Sequence, residues 1–97
     1  EKKSSNGIPE VINQLQLKFS AEKAGNPPQS IFIYDYHGSK VYFVPATCCD
    51  KMSELYDASG NLICHPDGGM TGNGDGKCVD FFETRTNEIL LYKHKED

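Results

Sequence analysis

The chain has 97 residues, a formal net charge of −4, 37% hydrophobic residues and one arginine, Arg85. An acidic chain with so little cationic surface lacks the footprint that nucleic-acid binding requires, and that class is set aside. At this length only about two thirds of the unfolded surface can be buried, so the core is modest and crosslinks carry weight.

Ile8, Val11, Ile12, Leu15 and Phe19 recur at the spacing of one helical face, and Pro9 suits the first turn of that helix. Gly25, Pro27 and Pro28 stop it, while the alternation of Leu15, Leu17 and Phe19 also allows the last turn to unwind into extended chain. SIFIYDY from Ser30 and KVYFVPA from Lys40 are rich in β-branched and aromatic residues, and Gly38-Ser39 between them suits a two-residue type II′ hairpin. Ile31 and Ile33 face one side and Phe32, Tyr34 and Tyr36 the other, so both faces carry apolar bulk and the helix covers one. ELYDASGNLIC adds a smaller hairpin around Asp57-Ala58-Ser59-Gly60, a type I turn with glycine where φ turns positive. The glycine-rich stretch that follows is loop, and EILLYK, Glu88 to Lys93, is a last strand that returns to the sheet. The expected fold is α+β: one N-terminal helix packed on a small antiparallel sheet, with a disulfide-tied glycine-rich loop to one side. It occupies 8–94, between a disordered tail at 1–7 and a C-terminal tail at 95–97.

Four cysteines, Cys48, Cys49, Cys64 and Cys78, fit a two-disulfide framework in an oxidising compartment. Neighbours in an extended strand point to opposite faces, so Cys48 and Cys49 take different partners, each joined to one of Cys64 and Cys78. Parity leaves open which joins which. A redox role lacks C-x-x-C spacing, and zinc usually takes ligands in pairs two to four residues apart, which adjacent cysteines do not match even with His65 nearby. No apolar run reaches membrane-spanning length, and the polar start EKKSSNG reads as a mature or trimmed N-terminus.

The span CHPDGGMTGNGDGKC, Cys64 to Cys78, invites three chemical readings. A phosphate loop of the form G-x-x-x-x-G-K-[ST] fails, because Thr71 stands five before Gly76 and Cys78 follows Lys77. A calcium loop fits better: Thr71, Asn73 and Asp75 alternate before Gly76, although the first position lacks its aspartate and the twelfth is Phe82 rather than glutamate. Asp67, Asn73, Asp75 and Asp80 are the candidate ligands of a site with another geometry. The third reading is a run of tight turns, with glycines at positive φ and Asp67, Asn73 and Asp75 capping the backbone. The surroundings are acidic: eight acidic residues between Asp50 and Glu88 face only Lys51, Lys77 and Arg85. His37, His65 and His94 assemble no nucleophile, base and orienter by spacing, so an enzyme is not expected.

The stretch VYFVPATCCDKMSELYDASGNLICHPDGGMTGNGDGKCVDFFETRTNEILLY resembles a family of small exported or lipid-anchored domains of unknown function from Bacteroides-type Gram-negative bacteria. Its Cys-Cys pair, PDGG and GDGKC carry the likeness. The resemblance implies an extracytoplasmic setting, in the periplasm or at the cell surface, with any lipid anchor upstream of residue 1. It assigns no activity, substrate or catalytic residue. The expected function is therefore an extracytoplasmic binding or interaction module, with Tyr34, Tyr36, Tyr42 and Tyr56 facing a cell-envelope protein or glycan. The alternatives are a calcium-stabilised structural domain and, more weakly, a small hydrolase or an inhibitor of one.

Overall fold

The computed structural model describes residues 8–23, 28–47, 51–69 and 72–94; the expected tails, Cys48, Cys49 and Thr71 lie outside them. The elements are helix α1 (Glu10–Ala21), strands β1 (Ser30–Tyr36), β2 (Ser39–Val44), β3 (Glu54–Tyr56) and β4 (Leu62–Cys64), a single-turn helix α2 (Phe81–Thr84) and strand β5 (Thr86–Lys93). The strands form one antiparallel sheet in the order β4-β3-β2-β1-β5, and the fold is α+β.

Pro9 stands one residue before the first turn of α1, where its carbonyl accepts from the backbone N–H of Ile12 and Asn13. Alternation does not win at the far end: Leu17 is 71% exposed and the helix runs on to Ala21, because Phe19 and not Leu17 reaches the sheet. Glu22 then turns extended, and the buried Gln29 donates to its carboxylate and to the Lys23 carbonyl, joining the helix exit to the start of β1.

The first hairpin turns one residue earlier than Gly38-Ser39. Tyr36 pairs with Ser39, so the loop is His37-Gly38, with φ of 51° and 79°. Two positive values are the type I′ arrangement, whose twist matches the strands, and histidine is among the side chains that tolerate it. The second hairpin is built as expected. The Asp57 carboxylate accepts from the backbone N–H of Ser59 and Asn61, and Gly60 has a φ of 93° with Pro9 and Val11 packed against its turn.

Each face of the sheet has its own core. Ile12 and Phe19 of α1 cover Ile31, Tyr42, Val44 and Tyr56 on one side. On the other, Tyr34, Tyr36, Val41, Phe43, Leu55 and Cys64 are covered by Cys78 and Phe81. Alternation along β1 and β2 divides these residues, as the sequence requires. Phe81 is fully buried, with ring centroids 5.6 Å from Tyr34, 5.3 Å from Tyr36 and 5.1 Å from Phe43.

Cys64 bonds to Cys78, with Cα atoms 6.2 Å apart, which overturns the expected pairing of each with Cys48 or Cys49. Strand parity carries no further than Val44, where β2 ends ahead of Pro45. Cys64, at the end of β4, instead faces the loop side of the sheet, where the chain returns through Cys78 to Phe81.

Peptide mapping of the unreduced protein should recover Cys64 linked to Cys78, and Cys64→Ser with Cys78→Ser should lower stability by about 3 kcal/mol, the loop-closure value for a crosslink of this span. Phe81→Ala should cost about 3–5 kcal/mol in denaturant unfolding, since it empties the centre of one core.

Candidate functional site

The disulfide-closed loop folds upon itself through its backbone. Ser53, fully buried just before β3, donates its N–H to the Asp67 carbonyl at 2.9 Å, and its hydroxyl accepts from the Asp67 N–H at 3.0 Å. The His65 ring sits 2.9 Å from the Ser53 carbonyl through Nδ1, and a carbonyl only accepts, so Nδ1 carries the proton. Asp75 closes the loop: its carboxylate accepts from the N–H of His65 and of Lys77, while its own N–H donates to the His65 carbonyl. A Cβ on Gly74 would run into that same carbonyl, so the bend has room for glycine alone.

The candidate calcium ligands go to separate tasks. Asp75 caps backbone, Asp67 and Asn73 join the loop through main-chain contacts, and the Asp80 carboxylate faces the β1–β2 turn. Among the described residues no three His, Cys, Asp or Glu side chains come together as a metal-holding group.

Asp80 accepts from the Tyr36 hydroxyl at 2.6 Å and pairs with His37 Nε2 at 2.7 Å, while the His37 ring stacks on Tyr36 at 3.9 Å. This contact holds the non-glycine residue of the turn at positive φ. It is also a histidine–carboxylate pair of the kind that orients a general base, but among the described residues no hydroxyl or thiol is hydrogen-bonded to the ring.

Hydrogen bonds from Tyr36 and His37 hold the Asp80 carboxyl below the usual carboxylate range. At Asp75 partial desolvation pushes upward, but the N–H groups of Lys77 and His65 prevail and the carboxyl is lowered. Burial, then the hydrogen bond to Asp80, pushes the Tyr36 phenol up to about 12, and burial with the Glu88 carboxylate does the same for Tyr34. Burial also raises Tyr42, and burial with the Glu54 carboxylate raises Tyr56.

Tyr34, Tyr36, Tyr42 and Tyr56 are all buried, so their rings are core and are withdrawn from the contact surface expected of them. Both faces of β1, β2 and β3 are covered, and an aromatic ring in the middle of a sheet stabilises best beneath a cover.

Exposed apolar side chains lie on both edge strands, Leu62 and Ile63 on β4 and Ile89 and Leu90 on β5, besides Leu17, Met52 and Val79, and the β5 margin adds Phe82 to its pair. A cross-strand row on the loop face runs Cys64, Leu55, Phe43, Phe32 and Leu90, one residue from each strand. Its first three members are buried, Phe32 is half-buried, and Leu90 is 52% exposed, because the loop covers the β4 side and stops short of β5. On the helix face Ile33 pairs with Ile89, which is 54% exposed. Phe82, 40% exposed, packs over Phe43 and borders this margin. Arg85 lies among rings, its guanidinium carbon 4.9 Å from the Tyr34 ring, 5.6 Å from Phe81 and 4.8 Å from Phe82, and among the described residues no carboxylate forms an ion pair with it. The lone arginine and the ILLY run were the sequence signals for this margin. The His37–Asp80 contact had none, because the two are separated by 43 positions.

A groove of about 140 Å³ lies between α1 and the end of β2, lined by Leu15, Phe19, Val44, Met52 and Glu54 among others. Pockets for small organic ligands usually exceed about 300 Å³.

Asp80 and Asp75 have lowered carboxyl pKa values in the folded state, so their contribution is fully present above the ordinary carboxylate value near 4 and is lost as pH falls through the lowered ones. Asp80→Asn should therefore melt lower than wild type at pH 7, and the gap should close on acidification below pH 4. Tyr34 and Tyr36 have raised values, so they stabilise below pH 10 and stop doing so as pH rises towards 12; absorbance titration should find them ionising only near there.

No curated protein and no solved structure matches this chain. The family model for a domain of unknown function (DUF6970) matches residues 17–94, which span both hairpins, the loop, α2 and β5, and the chain belongs to that family.

Proposed function

We propose that this domain works outside the cytoplasm, in the periplasm or at the cell surface, as a non-catalytic interaction module whose contact surface is the β5 margin. The observation that carries the reading is the edge strand itself: Ile89 and Leu90 expose apolar side chains on opposite faces, and among the described residues nothing pairs with the outer edge. Exposed apolar edges invite another chain, and although bulges interrupt this one at two points, Ile89 and Leu90 lie in the regular stretch between them. A protein partner suits it better than a glycan, because an open strand offers main-chain donors and acceptors in a row.

The disulfide supports an oxidising compartment, and no helix among the described residues is long and apolar enough to cross a membrane. A calcium-stabilised structural domain draws less support, since the carboxylates of Asp75 and Asp80 already serve backbone, phenol and imidazole groups. A hydrolase would have to start from His37 and Asp80, which lack a neighbouring nucleophile among the described residues.

The test is retention of immobilised domain variants by cell-envelope extract. Leu90→Asp and Phe82→Asp should each weaken retention at least tenfold, the scale of a contact residue. Leu17→Asp, on the exposed side of α1, should leave it unchanged. Equal retention of all three variants, or none by wild type, would sink the reading.

A further inference from the structure

Strand β5 carries charges at its two ends and apolar residues between them. Arg85 immediately precedes the strand and Lys93 ends it, with Ile89, Leu90 and Leu91 in the middle. Both charges lie on the loop face. Arg85 rests on Tyr34, a loop-face residue, and Lys93 pairs with Ser30, the neighbour of the helix-face Ile31. Leu90 stands between them on that same face, opposite Phe32. The one intervening acid, Glu88, is held by the Tyr34 hydroxyl at 2.7 Å.

Antiparallel pairing with a second copy about a two-fold axis works against this pattern. Centred on Ile89, which lies between the two bulges, it sets the Arg85 end of each copy against the Lys93 end of the other. Like charges directly opposite across strands are destabilising. A different strand meets no such barrier if it is acidic at both ends. Because the two positive charges are symmetric about the apolar centre, they accept it in either direction.

Building on the interaction reading above, we infer that the partner at β5 is an extended peptide segment with an acidic side chain at each end, opposite Arg85 and Lys93, and apolar residues between. Two bulges set Thr86–Lys93 of β5 against only Asp35–Ser30 of β1, so Arg85 and Lys93 are about six strand steps apart, and at about 3.3 Å per step the two carboxylates of a regular partner strand stand roughly 20 Å apart. Main-chain hydrogen bonds at the edge between the two bulges hold it, Leu90, Phe32 and Phe82 receive its loop-face side chains, and the guanidinium held among rings offers its N–H donors with little further loss of freedom.

Two seven-residue synthetic peptides test this, each alternating valine and threonine, one ended by aspartates and one by lysines. The domain should bind the aspartate-ended peptide at least ten times more tightly, with weaker binding at high salt and slowed amide exchange confined to 86–93 and β1. Lys93→Glu, on an exposed position, should remove most of that preference, and Arg85→Glu with Lys93→Glu should reverse it. Equal binding of both peptides, or protection outside β5, overturns the inference while leaving the interaction reading to the Leu90 and Phe82 variants. It is equally overturned if neither peptide binds and Lys93→Glu makes the domain dimerise in sedimentation, because the charges then serve only to block self-pairing.

Discussion

A sheet with apolar side chains on both faces must be covered twice, and among the described residues one helix is long enough to do it. The helix takes the face of Ile31, Tyr42 and Tyr56. The opposite face falls to a glycine-rich loop that has little apolar substance of its own. That shortage is met at two points: Phe81, which fills the space above Tyr34, Tyr36 and Phe43, and the Cys64–Cys78 bond, which ties the loop down where side chains cannot. The family match spans this covered face and both hairpins, so the arrangement belongs to the matched domain and not to an appendage of it.

The loop's polar groups follow from the same constraint. A backbone laid over a core cannot leave its N–H and C=O groups to water on the inner side. Ser53, His65 and Asp75 supply the partners, and among the described residues no buried side-chain nitrogen or oxygen is left without one. Asp75 and Asp80 look like ion ligands in one dimension because cap and ligand chemistry ask for the same carboxylate. What separates the two uses is the number of N–H and O–H groups aimed at each oxygen, and that emerges only in three dimensions.

Much of the sheet was legible in the sequence. The division of Ile31 and Ile33 from Phe32, Tyr34 and Tyr36 follows from two-residue alternation, and the turn at Gly60 and the returning strand follow from local chemistry. The misreadings have physical causes. The hairpin loop moved to His37 because Asp80, far along the chain, restrains a histidine where glycine seemed necessary. The disulfides were misjudged because parity was carried beyond a strand that ends at Val44. The tyrosines were taken for surface because a hydroxyl at the tip says nothing about where the ring lies. The lone arginine and the ILLY run hint at the β5 margin, but exposure depends on where a cover stops, and no local pattern records the reach of a loop.

The strand order also bears on how the chain acquires its shape. Strands β1 to β4 pair with their neighbours in sequence, whereas β5 joins β1 across more than fifty residues, Ser30 with Lys93 at the far end. Such closures are slow, because the intervening chain must be ordered before the contact is gained. Until residues 86–93 arrive, the outer edge of β1 stands open, flanked by Ile31, Phe32 and Ile33. During folding the domain therefore passes through a state whose vulnerable edge belongs to its most apolar strand, and the arrival of β5 exchanges that edge for one flanked by charge at both ends.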